Sequence, residues 1–198
     1  MKICALFVDL GGVVVINRAR EIGELYEKSD GLTLEMTKNV FRFIQTAKRT
    51  EEEINRYLQS VNIDPDLWKR FTKEFYSSEI KNDNLVKLLS DLKEKGLLII
   101  FTTNNSDAVM KGMQKYEIEN LPNLVINSSE LQVAKPDKAF WEAAFKGTKE
   151  LLPDLTLEEV LVIDDSNTNC VSAKEFGFQT YQYKNTPEAQ TEISTLIS

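Results

Sequence analysis

The chain has 198 residues, with 24 Lys and Arg against 31 Asp and Glu, so its formal charge is −7. That balance argues against a nucleic-acid or anionic-membrane surface, and the length suits one domain carrying a modest insertion. There is no histidine, which excludes Ser-His-Asp and Cys-His triads, histidine-ligated zinc and imidazole proton shuttles. Carboxylates, lysine, hydroxyls and a hard metal ion remain as possible chemistry.

The opening KICALFVDLGG reads as a buried strand that runs into a Gly-Gly loop at Asp9. Its apolar run from Ile3 to Val8 is too short for a signal-peptide core, and no later stretch reaches the ~18 apolar residues of a membrane span. The expectation is a soluble, cytoplasmic protein with no membrane or nucleic-acid partner, either a monomer or a homodimer. Cys4 and Cys170 lie far apart in apolar or helical stretches, and two cysteines make no disulfide framework; both are expected reduced and buried.

From Asn17 to about Ile80 the sequence turns helical, amphipathic and charge-rich, with no strand expected. Thr50 and Glu53 fit a capping box, and Asp64-Pro65 places a capping residue before a proline suited to a first helical turn. Trp68, Phe71, Phe75 and Tyr76 fall on one helical face and read more readily as a local core than as a substrate pocket. Asn84–Lys95 then forms a helix stopped by Gly96. The strand Leu97–Thr102, a helix after Asn105, and the strand Leu124–Asn127 follow. Next come a helix from Pro136 to about Lys146, the strand Val160–Ile163, a helix to Phe176 and a last strand at Gln179–Tyr183. Apolar strands alternating with helices imply an α/β fold: a doubly wound parallel sheet covered on both faces. The expected organisation is an α/β core of residues 1–16 and 81–198, with a small helical cap at 17–80. The insertion leaves the core just past the carboxyl end of the first strand, the edge where ligands bind in open α/β sheets.

Chemistry-bearing residues recur just past the strands. Asp9 ends the first, Thr103 and Asn104 follow the second, and Asp164-Asp165 ends the fourth; Lys135 opens the helix after the third. Each alone has a bland reading as a cap or surface residue, but together they would converge on one rim. Three carboxylates in a cleft repel one another unless a cation neutralises them, and ligation by oxygen alone suggests magnesium. Magnesium beside a lysine and a threonine hydroxyl makes a receptor for a phosphoryl group.

At these residues the sequence resembles the haloacid dehalogenase-like hydrolase superfamily. The strand LFVDLGGVVV resembles its first motif, LLIIFTTNNS the second, LQVAKPDKAFWEAA the third and VLVIDDSNTNCVSAKEFGF the fourth, in the family's order and spacing. The resemblance implies a Rossmann-like core with a helical cap, and Asp9 as a nucleophile that forms an aspartyl-phosphate. Thr103 and Asn104 would bind the phosphoryl group, and Lys135 would neutralise it. Magnesium would be held by Asp9, the backbone carbonyl of Gly11, Asp164 and Asp165. The stretch from Thr103 to Lys135 is too short for the larger cap that some members carry there.

One position departs from the pattern. Where the first motif reads Asp-x-Asp-Gly, this chain has Asp9-Leu10-Gly11-Gly12. Glycine replaces the family's general acid/base, whose assistance is typically worth ~10²–10⁴ in rate. The expected function is therefore a magnesium-dependent phosphomonoester hydrolase acting on a small phosphorylated metabolite without that acid. The alternative is a catalytically weak relative that binds a phosphorylated ligand or a protein partner. Dehalogenation also dispenses with the second aspartate, but would leave the Asp164-Asp165 pair without a task. A phosphomutase needs the missing acid, and a phospho-acceptor receiver domain has its acidic pair after the first strand.

Overall fold

The computed structural model describes residues 2–197. In chain order, β1 (Ala5–Val8) is followed by a two-residue strand, β2 (Val15–Ile16), and four helices. These are α1 (Ala19–Asp30), α2 (Leu34–Gln45), α3 (Glu51–Ser60) and α4 (Pro65–Ser77). A second two-residue strand, β3 (Ile80–Lys81), leads into α5 (Asp83–Glu94), β4 (Leu98–Thr103), α6 (Val109–Lys115) and β5 (Leu124–Asn127). The remainder is the one-turn helix α7 (Ser128–Leu131), α8 (Lys138–Leu151), β6 (Val160–Asp164), α9 (Asn167–Phe176), β7 (Gln179–Gln182) and α10 (Ala189–Ile197).

Five strands form one parallel sheet in the order β5-β4-β1-β6-β7. Because β1 is central, it is buried on both faces, and its pleat feeds both layers. Leu6 and Val8 join the apolar cluster that includes Leu85 and Leu89 of α5, Met113 of α6 and Ile193 of α10. Ala5 and Phe7 join the opposite cluster, with Phe140 and Trp141 of α8 and Ala173 of α9. Phe178 meets Phe7 and Trp141 edge-on, at ring separations of 5.3 and 6.2 Å, and locks β7 to that second layer. This is the doubly wound α/β architecture that the strand–helix alternation implies.

The order of the strands fixes where a ligand can bind. From β1 the chain winds outward through β4 and β5 on one side, then returns to build β6 and β7 on the other. The direction of winding therefore reverses at β1, and the crevice at its carboxyl end is the switch point of the sheet.

Helices α1–α4 share a core of their own, which includes Ile22, Val40, Leu58, Trp68 and Phe71. Their ends follow local chemistry. Thr50 and Glu53 form the capping box, with Thr50 N–H donating to Glu53 Oε2 at 2.8 Å and Glu53 N–H to Thr50 Oγ1 at 3.2 Å. Asp64 Oδ1 accepts from the Asp66 amide ahead of Pro65. Gly31 ends α1 at φ +70, a left-handed cap that a side chain would disfavour.

Two short strands, β2 and β3, pair antiparallel where the helical segment leaves and rejoins the sheet, with Val15 opposite Lys81 and Ile16 opposite Ile80. The helical character of residues 17–80 gives no hint of them, because two residues carry no alternation to read. The return is anchored by buried Asn82. Its Nδ2 donates to Val13 O at 3.0 Å and to the Tyr183 hydroxyl at 2.6 Å, while its Oδ1 caps α5 through the Leu85 amide. Of the two cysteines, Cys170 is buried and Cys4 only half-buried; both are free thiols.

Asn82→Ala removes the α5 cap and leaves the buried Val13 carbonyl without that donor. Urea unfolding is expected to show a loss of about 1–3 kcal/mol for this variant, and a smaller one for Tyr183→Phe, which removes one hydroxyl.

Candidate active site

Asp9 is the residue after β1. Its amide donates to Ile163 O at 2.9 Å, and its own Oδ1 accepts from the Leu10 amide at 2.8 Å, which aims the carboxylate over the end of the sheet. On the neighbouring strand Asp164 is the last residue of β6, and Thr103 is the last residue of β4. Lys135 comes from farther away, in the loop between α7 and α8. It stands three residues before the first turn of α8, so it does not open that helix as the sequence suggests. The interposed turn of α7 is too short to leave a periodic signal.

The Lys135 ammonium lies 3.1 Å from Asp9 Oδ1 and 2.7 Å from Asp164 Oδ2, and donates to Thr102 O at 2.7 Å. Its side chain is 1% exposed and that of Asp164 is 0%, so charge pairing here is nearly free of solvent screening. Asp164 is held further by Asn169 Nδ2, at 3.0 and 3.1 Å from its two oxygens, and by the Ser166 amide at 2.9 Å. Asn169 thus orients the carboxylate. Asn104 grips the backbone of Lys135 from both sides, donating to its carbonyl and accepting from its amide, each at 2.9 Å. Ahead of α6, Ser106 Oγ accepts from the Ala108 amide at 3.3 Å. Helix α6 begins after Ala108 without a side-chain cap, and Asn104 is spent on the lysine loop.

Ligand oxygens of Asp9, Asp164 and Asp165 lie within 4.8 Å of one another. Three ionised carboxylates and one ammonium leave two negative charges in a small volume. Oxygen-only donors at this density fit a hard divalent cation, which would be held by Asp9, Asp164 and Asp165. Gly12 lets the exposed Asp165 approach. At φ +78, a β-carbon built on it would sit 2.5 Å from Asp165 Oδ2, so only glycine admits this arrangement.

A haloacid dehalogenase-like hydrolase family profile matches residues 29–182, more than half of the chain. The chain belongs to that family. The matched span begins after Asp9 and Gly11, so their assignment to the first motif rests on position in the fold. No curated protein matches the sequence at a significant level. Among solved structures, a predicted HAD-like family hydrolase from Porphyromonas gingivalis is similar over 100% of this chain and 98% of its own, at TM-score 0.76 and 19% identity. A HAD family enzyme from Bacteroides thetaiotaomicron, in complex with magnesium and inorganic phosphate, is similar over 92% of this chain and 94% of its own, at TM-score 0.68 and 24% identity. The L-2-haloacid dehalogenase of Xanthobacter autotrophicus, with chloropropionic acid covalently bound, is similar over 99% and 84%, at TM-score 0.59 and 17% identity. At these identities the likeness is one of fold.

Above the carboxylates opens a cavity of about 830 Å³ between the sheet edge and the helical segment. Asp9, Gly11, Thr103, Asn104, Lys135 and Asp165 form its floor, so it gathers every sequence-predicted site residue except the fully buried Asp164. Its roof includes Lys38, Arg42 and Gln45 of α2, together with Phe75, Tyr76 and Glu79 at the end of α4. The sequence pattern of α2 marks a polar face without saying that it looks onto the sheet, so Lys38 and Arg42 escape a sequence reading. The α4 aromatics divide. Trp68 and Phe71 are buried in the helical core, whereas Tyr76 is 45% exposed and, with Phe75, faces the cavity.

Burial raises the Asp9 carboxyl from its ordinary 3.8 to about 7; Asp164 and Asp165 push the same way, and Lys135 offsets only part. Burial and Asp164 likewise raise Asp165. For Lys135 burial opposes the charge, but Asp9 and Asp164 outweigh it and raise the pKa, so the ammonium stays charged.

Between the unfolded and folded pKa of Asp9 the folded state holds a proton that the unfolded chain has released. Metal-free stability should therefore fall as pH rises from about 4 to about 7. In chelator, the melting temperature of wild type relative to Asp9→Asn is expected to drop between about pH 5 and about pH 7.5, and added magnesium should reverse the drop by pairing with the ionised cluster.

Proposed function

We propose that the protein is a magnesium-dependent phosphomonoester hydrolase whose nucleophile is Asp9, with the segment 17–80 serving as a cap over the site. The reading rests chiefly on one observation: a single buried ammonium, Lys135, bridges Asp9 and Asp164 beside Thr103 at the floor of the cavity. A buried cation among carboxylates, with a threonine hydroxyl close by, suits the spread negative charge of a transferring phosphoryl group. Magnesium, held by Asp9, Asp164, Asp165 and the Gly11 carbonyl, would supply further neutralisation of that charge. The B. thetaiotaomicron relative, with magnesium and inorganic phosphate together, supports the same pairing of ion and ligand.

Each residue then has a defined task. Asp9 attacks phosphorus from the sheet side and takes the phosphoryl group as an acyl phosphate. Thr103 through its hydroxyl and Asn104 through its backbone amide hold the phosphoryl oxygens. Lys135 favours the ionised form of Asp9 against the burial that raises its pKa, and Asn169 fixes Asp164 through both oxygens. Water attack on the acyl phosphate returns Asp9 and releases inorganic phosphate.

Gly11 carries the second reading, that of a weak enzyme or a phospho-ligand binder. A β-carbon built at Gly11 meets no heavy atom within 4 Å, so the position of the absent acid is open space at its base. The same open space makes Gly11→Asp buildable without clash.

A screen of phosphomonoesters with magnesium separates the readings. Wild type is expected to turn over, and Asp9→Asn to lose at least ~10³-fold of that rate. Gly11→Asp should gain about tenfold or more on alkyl phosphates, whose leaving oxygen needs a proton. Turnover that survives Asp9→Asn or chelator overturns the nucleophile and metal assignments. Tight phosphate binding with no turnover in wild type, rescued by Gly11→Asp, assigns the chain to the binders.

A further inference from the structure

A second cavity, of about 420 Å³, lies beside the first, between β2, the end of α4 and α6. Its walls include Leu10, Val15, Met113, Tyr116 and Ile118, with Lys111 and Lys115 at its charged side. Tyr116 is fixed there: its hydroxyl donates to Glu79 Oε2 at 3.0 Å and accepts from Lys115 Nζ at 2.7 Å. The two cavities share four residues of their walls, Gly11, Tyr76, Glu79 and Asn105, so they meet at the position where the family's acid is absent. No heavy atom comes within 4 Å of a β-carbon at Gly11, so the partition between them is thin at that point.

We propose that the second cavity receives the leaving group of the substrate, and that this group is an aryl ring carried as an aryl phosphate. This inference rests on the phosphatase reading above. In-line displacement puts the leaving oxygen on the face of phosphorus opposite Asp9, away from the sheet and toward the cavity roof. Tyr76 and Glu79, which stand in that roof, also line the second cavity, so the organic part can pass between them and Gly11 into it. The tyrosines Tyr76 and Tyr116 and the sulfur of Met113 offer faces that pack on an aromatic ring.

The chemistry of Gly11 points to the same class. With no acid at position 11, departure of the oxygen as an anion is favoured, which a phenol does far more readily than an aliphatic alcohol. In the step itself a bond forms between Asp9 Oδ and phosphorus as the P–O(aryl) bond breaks. The bonding pair departs on the phenolate oxygen, which takes a proton from water. A second water then attacks the acyl phosphate, and the products are the phenol, inorganic phosphate and free Asp9. Glycine at position 11 thus serves twice: it removes the acid and leaves room for the ring.

Gly112 offers a test outside the catalytic machinery. It lies on the α6 face that borders the second cavity, alongside Ala108, Lys115 and Tyr116, and a β-carbon there meets nothing within 4 Å. Gly112→Phe should occupy the cavity without disturbing the core, and helix propensity favours the change. 1-Naphthyl phosphate and acetyl phosphate are then compared with magnesium, since both have good leaving groups but only the first carries a ring. Wild type is expected to prefer 1-naphthyl phosphate in KM. Gly112→Phe should raise that KM about tenfold relative to the KM for acetyl phosphate. Calorimetry with 1-naphthylmethylphosphonate and methylphosphonate reads the same preference without turnover.

Equal loss on both substrates, or no loss on either, overturns the aryl pocket while leaving the phosphatase intact. If neither compound is hydrolysed, the phosphatase reading fails, and the phosphonates decide the pocket alone. Preferential binding of the naphthyl compound, abolished by Gly112→Phe, supports it; equal binding refutes it.

Discussion

The arrangement at the sheet edge depends on one ammonium group. Lys135 is the cation on which the buried carboxylates converge, and it reaches them only because its loop is fastened by Asn104 and its Nζ is received by the Thr102 carbonyl. Taking two carboxylates out of water is costly, and removing one partner of such a cluster typically costs about 3–5 kcal/mol. Three strand ends and one loop must therefore be mutually in place before any of these charges is tolerable. The raised pKa of Asp9 records first its burial, and then how incompletely a single lysine meets three acids.

That incomplete neutralisation is also what makes the site chemically useful. Charge not balanced by protein must be balanced by what binds, and the cavity floor offers Asp9 and Asp165 beside the nearly buried Lys135, with Asp164 enclosed behind them. The deep pair supplies rigidity and the shallow pair supplies contact. Asn169 and the Ser166 amide complete the buried half, so that no oxygen of Asp164 is left without a donor.

Much of this was legible in the sequence, for identifiable reasons. Four of the five strands of the main sheet are apolar runs with breaks in fixed places, so Leu124–Asn127 and the position of Asp164 follow directly. Asp9, Thr103, Lys135 and Asp165 could be grouped because strand ends of a parallel sheet share one edge. What was not legible has physical causes as well. The strands β2 and β3 are two residues each, α7 is one turn, and neither length carries a period. Lys38 and Arg42 sit on a polar helix face that looks the same in sequence whether it meets solvent or a cleft. Tyr76 differs from Trp68 and Phe71 only in the direction it points, and direction is set by the packing of α4 against its neighbours.

The antiparallel pair β2–β3 has an architectural consequence. Both chain crossings into the helical segment run side by side, at the ~4.8 Å spacing of paired strands. The ends of that segment are thus already joined in space, as the ends of a hairpin are. Helices α1–α4 could be lifted out and the gap closed by a tight turn, or another segment grafted in, without rethreading any strand of the main sheet. The three carboxylates, Thr103 and Lys135 all lie on the sheet side of that crossing.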